Sequence, residues 1–114
     1  MRKIFFYKSI SGNCPTEQFL NSLSARQAKK VTWVMSLIED LENVPTMYFK
    51  KLINTKNIWE IRIIIDSNIF RILGFFLSHN QFITTHGFQK KTNKTPKKEI
   101  LLAEKYKLDY LKRL

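Results

Sequence analysis

The segment Ile83-Thr-Thr-His-Gly-Phe-Gln-Lys-Lys-Thr-Asn-Lys-Thr-Pro-Lys-Lys-Glu-Ile100 decides how the chain is read. Ile83, Thr84 and Thr85 are β-branched residues that suit a strand. Gly87 then frees the backbone, and Lys90, Lys91, Lys94, Lys97 and Lys98 follow within a few residues. Thr95 suits a helix N-cap, Pro96 the first helical position, and Glu99 the first turn, where the helix dipole favours an acid. The segment predicts a last strand from Phe82 to Phe88, a cationic loop, and a helix from about Thr95 to near the C-terminus. A strand and a helix pinning both ends of a charged loop is how binding sites are commonly mounted.

Upstream, Ile58 to Ile65 alternates, with Trp59, Ile61, Ile63 and Ile65 on one face and Glu60, Arg62 and Ile64 on the other. Asp66-Ser67-Asn68 supplies a hairpin turn, and Ile69 to Leu77 returns. A two-residue loop at Asp66-Ser67 would pair Ile65 with Asn68 and bring Arg62 opposite Arg71. A three-residue loop would shift the register by one and put the arginines on opposite faces. The sequence leaves both registers open. Like charges directly opposite are destabilising, so an Arg62–Arg71 pair makes sense as an anion seat. Gly74 marks a bulge or a close backbone approach.

Ile4 to Tyr7 reads as a first strand covered on both faces, followed by a turn over Ser9 to Asn13. Pro15 opens a short helix carrying Phe19, Leu20 and Leu23. Ser24 and Gln27 form a capping box for an amphipathic helix to about Asn43, whose core face is Val31, Val34, Met35, Ile38 and Leu41. Val44-Pro45 breaks it. Residues 46–57 form a connector with short strand potential around Lys50 to Leu52, where Lys50, Lys51 and Lys56 could extend a basic face. The last helix has an apolar stripe of Ile100, Ala103, Tyr110, Leu111 and Leu114, interrupted by Lys107. The expectation is one α+β domain spanning 1–114. Its antiparallel or mixed sheet has about four strands, packed with two N-terminal helices and one C-terminal helix.

A chain of 114 residues can bury a real core, and nine Phe, four Tyr and two Trp argue against disorder. Twenty basic against nine acidic residues give a net charge of +11, which points to a polyanion such as nucleic acid. Cys14 is alone, which excludes an internal disulfide. The apolar run near the N-terminus is too short for a signal peptide, and no segment approaches the roughly 20 apolar residues of a membrane span. A cytoplasmic protein without membrane contact is expected.

The acids show no metal-ligand spacing, and no glycine-rich phosphate loop is present. Neither metal nor cofactor is expected. RNA carries its own nucleophile, the 2′-hydroxyl, so an enzyme needs only alignment, proton transfer and charge neutralisation. Arg62 and Arg71 suit bidentate phosphate clamping. Lys90, Lys91 and Lys94 would add positive potential, and their mutual crowding would lower a lysine pKa enough for proton transfer. His86 is an acid–base candidate, with a loop-fixing role as the alternative. Phe88 could stack on a base, while Lys94, Lys97, Lys98 and Lys51 would hold the backbone.

His86-Gly-Phe-Gln-Lys-Lys-Thr-Asn-Lys-Thr-Pro-Lys-Lys-Glu-Ile100 resembles the "HGF-KKT-KTP--EI" signature of phage-derived Gp49-like, HigB-type toxins of the RelE/ParE superfamily. Trp59-Glu-Ile-Arg62 and Phe70-Arg-Ile-Leu73 resemble that family's "ELR" and "RIL" strands, with Gly74 replacing a common aromatic. The resemblance implies a RelE-like fold and a ribosome-dependent mRNA interferase that cuts codons in the A site. It also implies a cognate helix-turn-helix antitoxin. A gyrase inhibitor and a non-catalytic nucleic-acid- or ribosome-binding module remain as alternatives, since fold alone does not choose among them.

Overall fold

A computed structural model describes residues 1–114. The chain runs β1 (Lys3–Phe6), α1 (Pro15–Asn21), α2 (Ala25–Asp40), β2 (Phe49–Lys51), β3 (Trp59–Ile65), β4 (Asn68–Ser78), β5 (Gln81–Lys90) and α3 (Lys97–Lys112). The strands form one sheet in the order β1-β5-β4-β3-β2, with β1 parallel to β5 and the other pairs antiparallel. This is the expected small α+β arrangement with five strands rather than four. The extra one is β2, which the residues around Lys50 only hinted at.

The alternation in β3 sets the layering. Ile61 and Ile63 point to the face covered by α2, where they meet Val31, Val34, Met35 and Ile38, together with Phe49, Phe70, Ile72 and Phe82. Each such side chain contributes about 1.5–3 kcal/mol on burial, so this face carries most of the core. The opposite face is shared. Part of it packs under α3, where Ala103 meets Ile58 and Leu73 while Tyr106 and Tyr110 meet Tyr7, Phe75 and Ile83. The rest extends past the start of α3.

Several local expectations are corrected. The first strand is a sheet edge: Ile4 and Phe6 pack on the core but Phe5 stays exposed, so β1 is not covered on both faces. The capping box of Ser24 and Gln27 is present. However, α2 ends at Asp40, and the Arg2 guanidinium takes the carbonyl of Ile38 in its last turn (3.0 Å) and that of Glu42 just beyond it (2.8 Å). In α3 the buried stripe uses Tyr106 in place of Leu111 and Leu114, both of which are exposed. Pro96, not Thr95, is the N-cap of α3, and it makes no side-chain cap. The Thr95 hydroxyl is drawn away to a buried carboxylate instead.

Candidate anion-binding site

The β3–β4 register resolves the arginine question. Ile65 pairs with Asn68, so the loop is the two residues Asp66 and Ser67, and Arg62 lies directly opposite Arg71. Asp66 adopts φ 56°, the left-handed conformation that such tight hairpin loops require and that Asp tolerates.

A β-bulge then sets what stands beside the arginines. Leu73 pairs with His86 but Gly74 pairs with Thr84, which leaves Thr85 as an extra residue. Its hydroxyl donates to the Leu73 carbonyl at 3.1 Å. The extra residue reverses the alternation of everything after it, moving His86, Phe88 and Lys90 to the face of Arg71. Gly74 and Gly87 fall on the other face, each against an aromatic ring. A Cβ on Gly74 would lie 2.6 Å from Phe82 Cζ, and one on Gly87 would lie 2.6 Å from Phe19 Cγ. Gly87 therefore admits a close approach and is not a loop glycine.

The result is a grid of three rows across β3, β4 and β5. Glu60, Leu73 and His86 form one row, Arg62, Arg71 and Phe88 the next, and Ile64, Ile69 and Lys90 the third. Lys90 is the last residue of β5, not part of the loop, and is only 7% exposed. Glu60 is 1% exposed, and its Oε1 lies 3.2 Å from Arg62 Nε and 3.3 Å from Arg71 Nε. Neither N–H points at that oxygen, so both buried Nε–H groups lack a hydrogen-bond partner. The contact is Coulombic. Arg62 Nη1 and Arg71 Nη1 donate to the Thr46 and Phe70 carbonyls at 3.3 and 3.0 Å. Thr95 Oγ1 donates to Glu60 Oε2 and ties the lysine loop to the sheet.

The electrostatics follow from burial. Three cations face one carboxylate, so the cluster keeps an excess of positive charge and favours an incoming anion. Burial lowers the Lys90 pKa; Glu60 opposes this while Arg71 and Arg62 add to it. Desolvation therefore leads, ahead of the crowding anticipated from sequence. Burial also lowers Arg71, with Glu60 opposing and Arg62 reinforcing. His86 sits between Thr85 Oγ1 (3.2 Å from Nδ1) and Glu99 Oε1 (3.1 Å from Nε2), with its ring stacked on Phe88. Burial lowers its pKa and Glu99 only partly restores it. Nε2 joins β5 to the first turn of α3, while Nδ1 meets the preceding residue of its own strand.

Of the residues singled out in the sequence, Arg62, Arg71, Lys90, Phe88 and His86 come together here. Lys91 and Lys94 stand exposed in the adjoining loop, and Lys97 and Lys98 are exposed on the first turn of α3. Lys51 does not join them: it pairs with Trp59 and so belongs to the opposite face of the sheet, whereas Lys50 stands opposite Glu60. The sequence reading missed Glu60 and Thr95 as parts of the site. The alternation of β3 did place Glu60 on the face of Arg62, which was the available signal. No group of three or more His, Cys, Asp or Glu side chains is brought together.

Sheet and site define a small α+β protein with a cationic, largely buried cluster on one face of its sheet. The chain matches the phage-derived Gp49-like protein family over residues 18–107, and it belongs to that family. The match runs from α1 into α3 and includes every residue of the grid. That family is associated with RelE- and HigB-like toxins, which makes this a toxin-like protein of phage derivation with a RelE-like fold. No curated protein matches the chain. No helix is long and apolar enough to cross a membrane.

Proposed function

We propose that the chain is the toxin of a type II toxin–antitoxin pair and cleaves mRNA in the ribosomal A site. In this reading a cognate helix-turn-helix antitoxin holds it silent. The observation that carries the chemistry is the Arg62–Arg71 pair, two guanidinium groups directly opposite each other on adjacent strands and held by one buried carboxylate. A phosphodiester lying across them gains two charge-assisted contacts. It also meets what Glu60 now partly neutralises.

The reaction forms a bond from the 2′-oxygen to phosphorus and breaks the bond from phosphorus to the 5′-oxygen. Its products are a 2′,3′-cyclic phosphate and a 5′-hydroxyl. Arg62 and Arg71 bind the non-bridging oxygens, whose negative charge grows in the transition state. Lys90, whose ammonium form is disfavoured by burial, takes the proton of the 2′-hydroxyl. Lys91 and Lys94 hold the strand and protonate the departing 5′-oxygen. Phe88 receives a base, with His86 fixing the ring from behind. Glu60 and Thr95 keep the arginines and the lysine loop in register before RNA arrives.

Induced expression of the wild type and Arg71→Ala, with growth and mRNA 5′ ends followed together, tests this reading. Growth arrest with cuts inside translated codons is expected, and both should be lost in the variant by roughly 10²–10³-fold. Arrest with intact mRNA, or a folded and fully toxic Arg71→Ala, would overturn it.

A further inference from the structure

At the free edge of the sheet, next to the grid, lies an open depression of about 480 Å³. It is lined by Arg26, Lys29, Lys30 and Trp33 of α2 and by Ile64 and Asp66 of β3 and its turn. We propose that this depression is a second RNA subsite, in which Trp33 stacks a base flanking the scissile phosphate while Lys29 and Lys30 hold its backbone. The proposal rests on the RNA reading of the arginine pair and extends it to the neighbouring nucleotides.

Four observations converge. First, the edge is open: β2 pairs only with Trp59 to Ile61, and beyond it a single bond from Arg62 N–H to the Tyr48 carbonyl closes the edge, leaving Ile63 to Ile65 with no strand on that side. Second, Trp33 is 47% exposed although α2 buries Val31, Val34, Met35 and Ile38. Its indole stands edge-on to Tyr48 at 5.7 Å, which fixes the ring without covering it. A large, oriented aromatic left half bare is a stacking platform, and every base has a π-face to offer it.

Third, the charge fits a polyanion. Arg26 is paired with Asp66 at 2.9 Å, but Lys29 and Lys30 make no ion pair, and Lys30 Nζ stands 4.7 Å from the Trp33 ring centroid. With the ammonium over one face of the indole, a base takes the other, and the charge stays close to that nucleotide's phosphate. Fourth, the depression is continuous with the grid. Ile64, 58% exposed, belongs to both. It lies two residues from Arg62, about 7 Å along a strand, so an RNA strand leaving the arginines enters the depression by rounding the open edge of β3. A peptide adding to this edge would use main-chain bonds and leave Trp33 and both lysines idle. A nucleotide uses all three.

The test measures binding of a short, fluorescent, fully 2′-O-methylated oligoribonucleotide, which cannot be cut, to the purified protein by anisotropy. Wild type, Trp33→Ala, Trp33→Phe, Arg71→Ala and the Trp33→Ala, Arg71→Ala double variant are compared. Trp33→Ala should weaken binding roughly tenfold while Trp33→Phe retains most of it, and the loss should appear whether or not Arg71 is present. Wild-type affinity in Trp33→Ala overturns the subsite. Loss in Trp33→Ala together with an unaffected Arg71→Ala keeps the subsite and sinks the phosphate seat, so the two failures are separable. A poly-glutamate peptide that displaces the RNA from wild type and binds Trp33→Ala more weakly would also overturn it, making the depression a surface for acidic proteins.

Discussion

Replacing Glu60 with glutamine tests whether the carboxylate organises the site. It is nearly isosteric, so packing is kept while the charge is lost and one acceptor oxygen becomes an amide NH2. Each arginine Nε lies 3.2–3.3 Å from Oε1. At an effective dielectric of about 20 that distance gives roughly 5 kcal/mol of gross attraction per pair. Most of this is offset by desolvation, yet removing one partner of a buried pair still costs about 3–5 kcal/mol, because the other charge is left uncompensated. Here three cations would be left. A domain of this size is stable by about 5–15 kcal/mol, so Glu60→Gln should fold but unfold at a urea concentration lower by about 2 M. Tryptophan fluorescence follows the transition. Adding Arg71→Met to Glu60→Gln should recover stability, since it removes one of the stranded charges. Inorganic phosphate should stabilise Glu60→Gln more than wild type by occupying the vacated charge position. A Glu60→Gln protein within about 1 kcal/mol of wild type, with no recovery in the double variant, would show that the cluster is solvated and refute the reasoning.

Gly87→Ala places a methyl inside the Phe19 ring and should lower stability by about 1–3 kcal/mol; an unchanged melting temperature would mean that α1 shifts freely off the sheet. Burial holds the His86 pKa below its ordinary value of 6.5, so the unfolded chain binds a proton that the folded chain resists. The His86 contribution is therefore complete above about pH 6.5 and is lost as pH falls through the lower folded value. His86→Gln should flatten that acid-side decline in urea midpoint, and an identical slope would count against it. Lys90→Arg keeps the charge but removes an ammonium that burial makes easier to deprotonate. RNA binding should survive while cleavage falls roughly 10²–10⁴-fold and its rise with pH disappears; a retained rise would assign proton transfer elsewhere.

The strands were legible because their patterns are local. Alternation in β3 and the Asp66-Ser67 turn carried the hairpin, and together they allowed the Arg62–Arg71 pairing without deciding it. What decided it was loop length, a property of backbone geometry that tolerated two answers. Thr85 is the harder case. Nothing in Ile83-Thr-Thr-His86 marks an extra residue, since both threonines suit a strand; the bulge belongs to how β5 meets the Gly74 region of β4. Without it, Gly87 and Gln89 would stand beside Arg71 in place of Phe88 and Lys90. Lys90 reads as a loop lysine by composition and belongs to β5 because β4 begins at Asn68 and gives it a partner in Ile69. Thr95 is lost as a cap for a similar long-range reason: Glu60 competes for its hydroxyl, and a buried carboxylate is the stronger acceptor. Lys51 reads like its neighbours by charge, and only the pairing of β2 shows that it faces away.

The central claim is that the arginine pair promotes attack by the RNA's own 2′-hydroxyl. The most direct measurement is mass spectrometry of the newly formed 3′ ends in mRNA from cells expressing the protein, beside cells expressing Arg71→Ala. The account predicts 2′,3′-cyclic phosphate, or the monophosphate it hydrolyses to, at the cut sites and none in the variant. Cut ends bearing a free 3′-hydroxyl, or the same cyclic phosphate ends with Arg71 removed, would contradict it.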